Sequence, residues 1–225
     1  MNQNEDASLA LSCRFEKKGP IRFISHLDLT RAFHRAFLRA RLPLKHSEGF
    51  SPHPKFSFAL PLSVGTESEA ELAYFTLKNG SSLSLDRIRD ALQEEMPKGI
   101  RILSVGEQNG KFSEIAFASY RILFPNGTLS PKAMRDPLPK GEILVEKRNK
   151  KGKIVPKDIS VGIHSLLFSR EAEGLLLQAV LACGAEAYLS PEILLLALEK
   201  TLPTLDQSGK RILRTGIYRQ DLTSF

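Results

Sequence analysis

Residues 22–68, RFISHLDLTRAFHRAFLRARLPLKHSEGFSPHPKFSFALPLSVGTES, join an arginine-striped helix to a Ser/Gly/Pro/His loop and then to an apolar strand. Ser25 is a good N-cap, and apolar periodicity predicts a helix over 26–41 that stops before Pro43. Leu29, Phe33, Ala36, Phe37 and Ala40 share one face, as a helix packed on a sheet requires. Arg31, Arg35 and Arg39 fall on the opposite face, with Asp28 just ahead of them. In the loop 47–57, Pro52 and Pro54 bias Ser51 and His53 to extended backbone, and Gly49 supplies a turn.

Working outward, the first half reads strand, helix, strand, strand, helix, strand. Segment 9–15 alternates as a strand, and Lys17-Lys18-Gly19-Pro20 turn it toward 21–24. Strands are expected at 56–60 and 71–77, a helix capped by Ser84 over 85–96, and a closing strand at 100–105. The second half repeats the order more loosely. Strand 118–124 is followed by a short helix beginning at 130–134, strands at 143–147 and 174–182, a helix at 190–200 and a last strand at 211–218. The expectation is an α+β chain of two tandem ferredoxin-like (βαββαβ) domains, 1–108 and 109–225, with the seam in the polar stretch 107–113.

Composition narrows the function classes. The 225 residues include 13 Phe, enough apolar mass for real cores. No run of ~18 apolar residues occurs, and the N-terminus has neither the basic nor the apolar region of a secretory signal, so a cytoplasmic, non-membrane protein is expected. Cys13 and Cys183 are isolated from each other, and two reduced thiols are the ordinary expectation. Between Arg14 and Lys55 stand ten Lys/Arg against three acids, a net +7 that equals the charge of the whole chain. Charge so localised points to an anionic partner, with RNA (tRNA or rRNA) first.

The residues placed to contact it are Arg22, Ser25, His26, Arg31, Arg35, Arg39, Ser47, Phe50, His53 and Lys55. Arginine's planar fork suits phosphate, a rigid loop presents side chains with little entropy loss, and Phe50 can stack on a base or enter a core. An ordinary solvated helix face and a stiff connecting loop are the competing structural readings. Glu67 and Glu69 either fix cations of the helix or face solvent. A second basic patch, Lys147, Lys150, Lys151 and Lys153 around a Gly152 turn, reads as a positive hairpin tip that Arg214 extends. His26, His34, His46 and His53 lack the spacing of a compact metal set, so no metal and no cofactor are expected. No phosphate-binding Gly loop, nucleophile elbow or iron–sulfur cysteine cluster is present in the sequence. His26 and His53 are the only candidates for acid–base chemistry, and a non-catalytic role is the first expectation.

The run FISHLDLTRAFHRAFLRARLPLKHSEGFSPHPKFSFALPLSVGTES resembles the radical-SAM-linked family of bacterial proteins, whose marks are a Ser-His-Leu-Asp-Leu start, an Arg-rich helix and a Gly-Phe-x-Pro-His-Pro-Lys loop. VEKRNKKGKIVPKDISVGI (145–163) and RILRTGIY (211–218) carry the likeness into the second half; His46 departs from the aromatic residue common there. Members are typically encoded beside, or fused to, a cobalamin-binding radical SAM enzyme. The resemblance implies a separately encoded partner of a radical SAM enzyme in RNA modification or processing, and with the localised charge the first reading is an RNA-binding companion that presents RNA to that enzyme. The alternatives are a metal-independent RNA-processing enzyme using a loop histidine, on the plan of tandem ferredoxin-like endoribonucleases, and an adaptor that docks the radical SAM enzyme without RNA.

Overall fold

The computed structural model describes residues 8–78, 83–148, 152, 154–184 and 187–225. The chain is α+β and divides into two compact units, Met1–Phe112 and Ser113–Phe225.

In the first unit β1 (Ser8–Lys17), α1 (His26–Arg39), β2 (Phe56–Phe58), β3 (Thr66–Lys78), α2 (Leu85–Glu94) and β4 (Ile100–Glu107) follow in order. β1 lies between β4 and β3, and β2 pairs the far side of β3, every pairing antiparallel. Alternation in β1 sends Leu11, Cys13 and Phe15 toward the helices, where they meet Phe33 and Phe37 of α1 and Ile88 and Leu92 of α2. Phe33 is the hub: its ring lies 4.9 Å from Phe15, 5.3 Å from Phe56 and 5.2 Å from Phe58. The edge strand β2 is only three residues long, and both of its phenylalanines pack on Phe33. In segment 21–24, expected to continue from the turn at 17–20, residues 21–23 belong to a 3-10 turn (Gly19–Phe23) with Pro20 near its start, and Ile24 is its extended cap. Gly99 makes the turn into β4 at φ +96°, and a Cβ there would stand 2.5 Å from the Lys18 carbonyl oxygen.

In the second unit come β5 (Phe117–Phe124), α3 (Pro131–Arg135), β6 (Leu144–Arg148), β7 (Ile154–Asp158), β8 (Ile163–Glu171), β9 (Gly174–Ala182), α4 (Pro191–Thr201) and β10 (Arg211–Tyr218). β5 lies between β10 and β9, and β8 pairs the far side of β9, again antiparallel. The strand expected at 143–147 is present as β6, but it pairs β7 as a hairpin, and β8 takes the sheet position beside β9. Among the residues of β8 only Phe168 is buried, so the strand lacks the apolar alternation that marks strands in sequence. α3 is a single short piece: Pro131 starts it, and Asp136 has left helical backbone just before Pro137. The core gathers Ile122 and Phe124, Leu177 and Leu181, and Leu194 and Leu198. Among the described residues no helix is long and apolar enough to cross a membrane.

Candidate functional site

The first turn of α1 is locked by its cap. Ser25 Oγ accepts from the Asp28 backbone N–H at 3.1 Å and donates to Asp28 Oδ2 at 2.7 Å. Asp28 in turn accepts from Arg31 at 3.0 Å, and the Ser25 hydroxyl and then Arg31 hold its carboxyl below the usual range. At the other end Arg39 reaches α2, donating to Glu95 Oε2 at 2.5 Å and to the Glu95 carbonyl at 2.6 Å. Two of the three stripe arginines therefore have protein acids beside them, which reduces the mutual repulsion expected of the stripe. Arg35, between them, is exposed.

Glu67 and Glu69 hold cations of the turn before α1, not of the helix itself. Arg22 pairs with Glu67 at 3.2 Å and lies over the Phe23 ring at 4.6 Å, while Lys18 pairs with Glu69 at 2.8 Å. Glu67 also accepts from the Gly19 N–H at 2.7 Å. Exposed pairs of this kind contribute about 0–1 kcal/mol each, so their main effect is to set where the side chains stand.

The loop is closed at its base by backbone. Ser47 N–H donates to the His53 carbonyl at 2.8 Å, His53 N–H donates to Ser47 Oγ at 3.0 Å, and Lys55 N–H donates to the Lys45 carbonyl at 2.7 Å. Lys45 and Thr76 continue the pairing onto β3. Ser47 is thus a loop clasp. Its tip raises Phe50, 113 % exposed, so Phe50 enters no core. His53 and Lys55 present exposed side chains from the returning limb. His46 is bonded through Nδ1 to the Leu44 carbonyl at 3.1 Å. Arg35 and Arg41 on and after α1, and Phe50, His53 and Lys55 in the loop, all expose their side chains, with Glu48 the exposed acid among them.

His26 is exposed at the start of α1, its ring edge-on to Phe58 at 5.4 Å. Beneath it lies a small cavity of about 10 Å³, lined also by Ser25, Lys17 and Glu71, about the room a single water needs, ~10–15 Å³. Lys17 is 1 % and Glu71 3 % exposed, and both are engaged within the protein. Sequence reading passed over this buried charged couple. Glu71 heads the apolar run 71–77 and Lys17 follows Phe15 by two, an alternation that places both in the sheet.

Arg214 corrects an expectation. It is 1 % exposed in β10, hydrogen-bonded to the Tyr120 hydroxyl and close to Cys183 and Tyr188, so it offers nothing to a surface ligand. Burial pushes the Tyr120 phenol well up, with Arg214 countering. Lys147 lies in β6 opposite Val155, while Lys150, Lys151 and Lys153 fall outside the described residues. Both cysteines are free; burial pushes the Cys13 thiol up to about 12 and the Cys183 thiol to about 11.

A family model described as "Uncharacterized protein conserved in bacteria (DUF2344)" matches residues 11–191, across both units. No curated protein matches the sequence. A solved structure titled "Dye-decolorizing protein from V. cholerae" is similar over 95% of this chain and 93% of its own, at 11% identity and a TM-score of 0.21. At that score the likeness carries no argument.

Proposed function

The chain belongs to this DUF2344 family of bacterial proteins, and we propose that it is a cytoplasmic RNA-binding companion that presents RNA to a separately encoded radical SAM enzyme. The observation that carries the RNA half is that α1 and the loop after it expose Arg35, Arg41, His53 and Lys55 together with a fully bare Phe50. Cations take phosphates without regard to sequence, and an exposed aromatic stacks on an unpaired base. A solvated Phe at the tip of a loop clasped by two backbone bonds and the Ser47 hydroxyl has no use in the fold. The radical SAM half rests on the Ser-His-Leu-Asp-Leu start and the Gly-Phe-Ser-Pro-His-Pro-Lys loop, which resemble the radical-SAM-linked proteins. We also read both units as ferredoxin-like: each orders its sheet as closing strand, first, third, second. On this reading the β6–β7 hairpin is an insertion before the second strand of its unit.

The test is fluorescence anisotropy with tRNA and rRNA fragments over a salt series. The wild type binds with an affinity that falls steeply with salt. An Arg35→Ala/Arg41→Ala/Lys55→Ala variant, folded by circular dichroism, loses about 2 from the log–log salt slope, since each cation on a single strand contributes ~0.7. Absence of wild-type binding would sink the RNA reading and leave the adaptor role, checked by co-purification with the radical enzyme at high salt. Turnover of the RNA that is lost in His53→Ala with binding kept would instead make the protein an RNA-processing enzyme, with His53 or His26 as acid or base.

A further inference from the structure

We propose that the cleft between β2 and the segment following β4 is the seat of a single nucleotide base. The proposal rests on the RNA reading for the source of that base, but not for its chemistry. The cleft measures about 460 Å³, inside the roughly 300–1,000 Å³ range of ligand pockets. One wall is aromatic. The half-buried Phe112 ring stacks on Tyr74 with centroids 4.1 Å apart and planes 22° from parallel. Tyr74 is held in place by donating its hydroxyl toward the Asn109 and Gly110 carbonyls, at 3.0 and 3.2 Å. Phe112 is therefore a ring on a rigid support, and a flat heterocycle laid beside it extends an existing stack at little entropic cost.

The rest of the lining matches the edges of such a ring. Ser57, Thr76 and Gln108 bring two hydroxyls and a carboxamide, and among the described residues none of the three spends its side chain on a protein hydrogen bond. A purely apolar ligand would leave those groups without partners. Lys55 and Lys111 add positive charge to the lining, which suits a phosphate attached to the heterocycle. An aromatic face, hydrogen-bonding groups and two lysines in one cleft together describe a nucleotide. Lys55 belongs to both features, ending the clasped loop and lining the cleft. A strand whose phosphates lie on the loop thus has a backbone contact in common with the cleft, and one unstacked base can enter.

The experiment compares a short oligoadenylate with an abasic oligomer of the same length by fluorescence anisotropy, and adds millimolar AMP observed by saturation-transfer NMR. The full chain is used as wild type, as Phe112→Ala, and as Ser57→Trp, which fills the cleft from an exposed strand position without removing a packed group. The expected result is oligoadenylate binding at least about 5-fold tighter than the abasic oligomer, since one base–aromatic stack contributes about 5- to 100-fold. Each variant lowers that ratio by the share of one stack, leaving what the Phe50 stack supplies, while keeping the salt slope of the wild type. A ratio that neither variant lowers overturns the cleft proposal and leaves the RNA reading standing. AMP transfer abolished by Ser57→Trp, with no oligomer binding, supports the cleft as a site for free nucleotides and overturns the RNA reading. Neither oligomer binding nor AMP transfer overturns both.

Discussion

Three arginines at four-residue spacing look equivalent in α1, yet their partners give them different work. Arg39 ties α1 to the end of α2 through Glu95, Arg31 closes a local pair with Asp28, and Arg35 points outward. Phe50 is the residue with the clearest division between fold and function. Because it is bare, Phe50→Ala leaves the unfolding free energy from urea denaturation within ~0.5 kcal/mol of wild type, while RNA affinity falls at least about 5-fold by anisotropy. His34 behaves oppositely. Half-buried on α1 against the Phe56 ring, it has its pKa lowered by burial and then by the charge of His46. The folded pKa lies below the unfolded value of about 6.5, so the unfolded chain takes up the proton first. Stability is then lost as pH falls below that unfolded value. Urea midpoints should drop between neutral and mildly acidic pH, and His34→Gln should flatten that dependence; an unchanged slope would remove His34 as its source.

α1 is an element whose start and buried face were legible. Ser25 before an apolar-periodic run marks the cap, and the stripe of Leu29, Phe33, Ala36 and Phe37 is the stripe that is buried. The helix ends at Arg39, two residues earlier than its periodicity predicts, because Arg41 turns left-handed at φ 55° ahead of Pro43. Replacing Ser25 by Ala removes the acceptor for the Asp28 N–H and should cost about 1 kcal/mol in urea denaturation, with Ser25→Thr recovering most of it. A loss no larger for Ala than for Thr would mean that the hydroxyl does not act as a cap. β8 was not legible for the opposite reason. An edge strand that buries one side chain leaves no periodicity to read, and its place in the sheet follows from pairing with β9.

At the scale of the whole molecule, each unit carries one thiol and so one built-in reporter. Cys13 is fully buried in the first unit, and Cys183 is half-buried in the second. Alkylation of the native chain, mapped by mass spectrometry, should label Cys183 before Cys13, since the thiolate is the reactive form and Cys13 is both the less accessible and the higher in pKa. Labelling in the reverse order would show that the first unit opens more readily than the second. By itself the amino-acid sequence determined the α+β character, the caps and stripes of the long helices, and the crowding of positive charge between Arg14 and Lys55. These are local properties, set by side-chain period and charge along the chain. Tertiary structure alone decided that Arg214 is interior, that Lys17 and Glu71 share a buried cavity with His26, and that Lys55 and Phe112 line one cleft. Each of those facts depends on which strands lie side by side, and strand pairing joins residues that no spacing in the sequence connects.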